Sequence, residues 1–275
     1  MKISWISAVF AVLGLLATAP AQSAPEAEAW DRWRVHDPAS DRRVDHSAFD
    51  QFLARHVIVL PQGGNRIDYA RVPAEGRAAL AAYVTALAAV DVDGLNRREQ
   101  MAFWINLYNA LTLKVVLDHW PVKSIRDIDI SPGLFSDGPW GAKLISVAGE
   151  ALSLDDIEHR ILRPLWRDPR VHYAVNCASI GCPDLAPRAY TGERLEAMLD
   201  EGVRNYVNDP RGLRIDRRGR LVASRIYDWF ADDFGGEAGV LAHLRAHVRG
   251  ELKARLDGAA EIDAYAYDWR VNAPR

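Results

Sequence analysis

Residues 213–223 read LRIDRRGRLVA. Two short β-forming runs, Leu213–Ile215 and Leu221–Ala223, flank the turn-forming Asp216-Arg-Arg-Gly219, which is the signature of an antiparallel hairpin. A second hairpin-like region places the strand candidates Ile125–Ile130 and Leu144–Val147 around a Gly/Pro-rich loop from Ser131 to Gly141. Hairpins join antiparallel strands, so two of them argue against a purely parallel sheet. Helical patterns fill much of the rest, at Ala74–Val90, Arg97–His119, Ser153–Arg163, Thr191–Asn208 and Gly239–Leu256. Arg97–His119 is the longest and is stopped by Pro121. Helices and short strands alternate irregularly, which predicts an α+β domain: several helices around a small mixed or antiparallel sheet.

Further out, His46–Leu60 reads as a short helix running into an apolar extended piece, Val57–Leu60. Pro61–Asn65 is a turn, and Ile67–Tyr69 a brief extended piece. Residues 22–45 are polar and aperiodic apart from two tryptophans, and read as a tether leading into one globular domain, residues 46–275. No internal repeat or long linker divides that domain. A hydrophobic content of 49% suffices for its core.

The first 21 residues fit a signal peptide. Lys2 gives a minimal positive start, Ile6–Ala17 is an apolar run without charge, and Ala19-Pro-Ala21 offers small residues for cleavage. That run is short for a membrane span, which needs about 20 apolar residues. The expectation is an exported protein, periplasmic or secreted, with no stable span after cleavage. The formal net charge is -3, and removing Lys2 with the signal segment makes it -4. This balance gives no support for a nucleic-acid partner, which would want a clustered basic excess.

Three segments could carry chemistry. In Arg97–His119, the residues Glu99, Asn106 and Asn109 form a narrow polar stripe on an otherwise apolar helix. Buried amides and carboxylates need partners, so the stripe either holds neighbouring loops or lines a pocket. In Ser153–Arg163, Leu154, Ile157, Ile161 and Leu162 set the apolar face. Glu158 projects within that face and His159 lies at its edge. A carboxylate there is ion-paired, or carries a raised pKa fit for general acid–base work.

The third segment, residues 171–185, reads VHYAVNCASIGCPDL and contains the chain's only cysteines, Cys177 and Cys182. Read as a strand, Val171–Cys177 puts His172, Ala174 and Asn176 on one face and Cys177 on the other. That arrangement disfavours a simple His172–Cys177 pair. Three readings of the cysteines stand: a structural disulfide closing a short loop, a Cys177 nucleophile with a histidine base, and a metal site with His159 and His172. The spacing matches no common zinc pattern, so no metal and no cofactor is expected.

Five strings resemble the domain of unknown function family numbered 547: residues 99–110 (EQMAFWINLYNA), 152–159 (LSLDDIEH), 172–185 (HYAVNCASIGCPDL), 224–234 (SRIYDWFADDF) and 267–272 (YDWRVN). The resemblance spans roughly residues 75–272. It implies a shared domain, found in exported bacterial proteins and at the C-terminus of longer plant proteins, and it implies no established activity. Glu99, Asn106, Asn109, Glu158, His159, His172, Cys177 and Cys182 all fall at positions matching these strings.

The functional expectation is a cell-envelope hydrolase or acyl transferase. Cys177 is its nucleophile, His159 or His172 the base, Glu158 a further acid–base group, and Asn106 an orienting amide. Glu99, Asn109, Asn176 and Cys182 are expected to bind or frame the substrate. The alternative is a non-catalytic envelope module that binds a small molecule or a protein segment and is stapled by a Cys177–Cys182 disulfide.

Overall fold

The computed structural model describes residues 24–133 and 137–274, so the signal segment expected over residues 1–21 lies outside the described residues. The chain enters α1 (Ser47–His56) and pairs β1 (Val57–Ile58) with β2 (Arg66–Ile67). Alanine-rich α2 (Ala74–Ala88) and the long α3 (Arg97–Asp118) follow. β3 (Ile145–Val147) forms an antiparallel hairpin with β4 (Glu150–Leu152), and not with residues 125–130 as the sequence suggests. α4 (Arg163–Trp166) continues a π-helical stretch, Asp156–Leu162. α5 (Leu195–Val207) leads to β5 (Leu213–Ile215) and β6 (Leu221–Ser224), the hairpin expected at Asp216–Gly219. α6 (Ile226–Trp229), α7 (Gly236–His247) and α8 (Glu251–Asp257) precede β7 (Ala264–Ala266). β7 runs parallel to β6, so the third sheet is mixed. The fold is α+β.

α3 is the spine. Its N-cap, Asn96, accepts from the Arg98 and Glu99 amides. Every residue from Glu99 to Leu113 is buried, as expected of a helix packed on all sides. Cluster residues from α1, α2, α3 and the π-helical stretch make the larger core. Tyr173, Tyr206, Tyr227, Val240 and Leu244 anchor a second core under the mixed sheet.

Residues 24–45 are held along their length. Trp33 is 1% exposed and meets Trp104 edge-on at 4.9 Å. The Trp30 amide donates to the Arg160 carbonyl, and Arg97 and Gln100 donate to backbone carbonyls of residues 33–35.

Several local expectations change. Val171–Cys177 is not a strand: Pro169–Tyr173 is a 3-10 turn capped by Asp168, and Ala174 and Val175 both donate back to the Val171 carbonyl. Satisfied locally, this backbone has no need of a partner strand. Ile125–Asp127 is likewise a 3-10 turn, closed by a capping box between Ser124 and Asp127. The last helix is two, because Gly250 at φ +64° breaks it. Among the described residues no helix is long and apolar enough to cross a membrane.

Candidate active site around Cys177

The loop Cys177–Cys182 is shaped from three directions. Asn109, on α3, donates to the Ala174 carbonyl and accepts from the Asn176 amide. Asn176 donates to the Pro183 carbonyl and accepts from the Ala178 amide, which steadies Ala178 at φ +57°, a left-handed conformation that a residue with a Cβ adopts at a cost. The C-terminal tail lies across the loop. Ile180 and Gly181 donate to the carbonyls of Arg270 and Asp268, and Asn272 donates to that of Ala178. Gly181 is required here, since a Cβ would stand 2.7 Å from the Asp268 nitrogen.

This close crossing delivers Tyr267 to the sulfur. Cys177 Sγ lies 3.0 Å from Tyr267 Oη, 3.2 Å from Ser179 Oγ and 3.2 Å from Cys182 Sγ. Both cysteines are free thiols, Cys177 partly exposed and Cys182 buried. The hydrogen bond from Cys182 pulls the Cys177 thiol down to about 7, against burial, and the Ser179 and Tyr267 hydroxyls add to it. Burial and the neighbouring Cys177 drive Cys182 well above its usual value. The two thiols differ strongly in reactivity although they touch.

Cys177 borders a cavity of about 260 Å³ that is also lined by Cys182, Tyr108, Glu158, His159 and His172. Glu158 sits on the π-helical stretch. Burial pushes its carboxyl up to about 7, opposed by a hydrogen bond with Tyr108 and the charge of Arg163. π-Turns within helices are frequent at functional sites, and this one packs Glu158 and His159 against the cavity while Arg163 reaches past them. Arg163 forks onto Asp233 at 2.6 and 3.2 Å and approaches His159 Nδ1 at 3.0 Å. Burial and that guanidinium hold His159 down to about 3, so it is neutral and accepts from Arg163.

His172 Nε2 lies 2.7 Å from Asp233. The Asp233 carboxyl, despite its burial, is held far below the usual range by His172 and Arg163, so the carboxylate accepts the Nε2 proton. Nδ1 faces Glu158 Oε1 at 3.9 Å. The imidazole stacks on Phe230 at 4.1 Å. Burial lowers its pKa.

Neither imidazole is among the hydrogen-bond partners of Cys177, which are Ser179, Cys182 and Tyr267. Asn106 does not reach the cavity either, since both ends of its amide bind the backbone of Tyr190. Glu99 is spent on the amides of Val44 and Gly192. The polar stripe of α3 therefore holds loops, and Asn109 and Asn176 shape the cysteine loop from beneath.

Residues 92–207 match the family model described as Protein of unknown function, DUF547. The similarity to the DUF547 family lies in that segment. No curated protein and no solved structure matches the chain. The DUF547 segment supplies Tyr108, Glu158, His159, His172 and both cysteines. Downstream, Trp229, Phe230, Tyr267 and Trp269 build an aromatic wall with Trp140, and Ala24 and Pro25 border the cavity from upstream.

Sequence reading missed Tyr267, Ser179, Asp233 and Tyr108. All four lie within the strings that resemble the family, but nothing local marks them as site residues, and Tyr108 has the apolar neighbours of a core position. What joins Tyr267 to Cys177 is a contact between residues 90 positions apart, which no local pattern encodes.

Proposed function

We propose that the protein is a thiol-dependent hydrolase or acyl transferase, exported to the cell envelope by its N-terminal segment. The observation that carries this reading is the Cys177 sulfur itself, which lies within hydrogen-bond reach of Tyr267, Ser179 and Cys182 in the cavity that also holds Glu158. A thiolate so stabilised is a nucleophile at neutral pH without an imidazole base.

Cys177 attacks the carbonyl carbon of an acyl donor, forming a C–S bond, and the leaving group departs with a proton. Glu158, titrating near 7, is suited to give that proton and then to take one from the attacking water or acceptor. Tyr108 hydrogen-bonds Glu158 and orients that carboxyl, and His172, fixed by Asp233, stands beside it. The aromatic wall favours a donor with an apolar acyl or aryl portion, in a small molecule or a peptide side chain.

The test is acylation by p-nitrophenyl esters of short and medium chain length. A burst of p-nitrophenolate equal to the protein concentration is expected, with the acyl group mapped to Cys177 and absent in Cys177→Ala. No burst and no adduct with any ester would overturn the reading.

A further inference from the structure

Acyl transfer needs one sulfur, yet two touch. Cys182 is 4% exposed, whereas Cys177 is partly exposed. Its sulfur accepts the Cys177 amide at 3.1 Å and stands 3.2 Å from the Cys177 sulfur. Closing that contact to a disulfide bond of about 2.05 Å takes a shift of about an ångström. The turn between them is already formed, with Ala178 in its left-handed conformation and Gly181 under the tail.

We propose that Cys177 and Cys182 are an attacking and a resolving thiol that exchange reversibly with a small organic disulfide admitted by the aromatic cavity. The Cys177 thiolate attacks one sulfur of the disulfide, forming a mixed disulfide and expelling the first thiolate. That thiolate takes the proton from Cys182. The Cys182 sulfur then attacks the Cys177 sulfur, forms the intramolecular bond and expels the second thiolate, which is protonated by solvent. Two protein thiols are oxidised, and one disulfide is reduced to two thiols.

The asymmetry of the pair fits this order. The accessible sulfur is the one held as thiolate, and the hidden one keeps its proton until a leaving group arrives. The loop closed is short and gains little from closure, so reduction remains easy. This exchange differs from a staple, which would stay shut, and it does not depend on the acyl-transfer reading. If both hold, oxidation removes the nucleophile and switches acyl transfer off.

The experiment treats the native full chain with 2,2′-dithiodipyridine. The chain has only two cysteines, so the stoichiometry is unambiguous. The expected result is release of two pyridinethiones per protein and a product lighter by two hydrogens, with no pyridyl group retained and full recovery by dithiothreitol. Cys182→Ser should release one pyridinethione and keep a stable pyridyl adduct on Cys177. Wild-type protein that retains a pyridyl group on either cysteine would overturn the proposal. That mass measurement decides even if the serine variant fails to fold. A negative ester assay leaves the outcome intact, and a negative exchange result leaves the ester assay intact.

Discussion

Glu158 is the residue whose chemistry and stability effect are most tightly linked. The unfolded chain ionises this carboxyl near 4.5 and the folded protein near 7. Between those values the folded state binds more protons, so this group makes stability fall as pH rises through the window. Glu158→Gln removes that dependence. Urea unfolding should show the variant gaining on wild type from about pH 4.5 to 7 and the difference levelling off above. The same substitution should slow acyl transfer about 10²–10⁴-fold, the usual contribution of a general acid–base group. His159 has the opposite sign. Its folded value of about 3 lies below its unfolded 6.5, so the stability it contributes is complete above 6.5 and lost as pH falls toward 3.

At the scale of elements, the site is made where the cysteine loop meets the C-terminal tail. Gly181→Ala would drive a methyl group into the Asp268 backbone and the Tyr267 ring. Overpacking of this kind costs about 1–3 kcal/mol. Displacing Tyr267 also removes a donor from Cys177, so the pH midpoint of Cys177 alkylation should rise along with the drop in urea midpoint. An unchanged alkylation profile would mean that the tail does not set the thiol. The sequence made some of this legible. The 213–223 hairpin and the buried-facing Glu158 follow from local chemistry, and the structure bears them out. The strand proposed at Val171–Cys177 failed because alternation is a weak signal where a proline and an aspartate cap can turn the backbone onto itself. The π-helical turn was invisible because its sequence also suits an α-helix. The stripe of Glu99, Asn106 and Asn109 was visible, but which backbone it would hold depended on loops such as Thr191–Gly192 that approach only in the folded chain.

Across the whole molecule, the stretch 24–45 is a strap. It is pinned by Trp33 against Trp104, and Pro25, whose carbonyl accepts from Arg163, borders the cavity together with Ala24. Arg160 lies over Trp30 at 4.4 Å on the way. Trp33→Ala should therefore cost about 3–5 kcal/mol, as for a core tryptophan, read as a lower urea midpoint. A loss below about 1 kcal/mol is what a loosely attached segment would give. Because the strap, the DUF547 segment and the C-terminal tail all border one cavity, changes far apart in sequence should converge on the reactivity of one sulfur.

That sulfur gives the most direct measurement. Iodoacetamide alkylation of the native protein, followed across pH and mapped by peptide mass, should rise with a midpoint near 7 at Cys177 and leave Cys182 unmodified. A midpoint near the 9 of an ordinary thiol, or equal labelling of both cysteines, would contradict the assignment of Cys177 as the activated nucleophile.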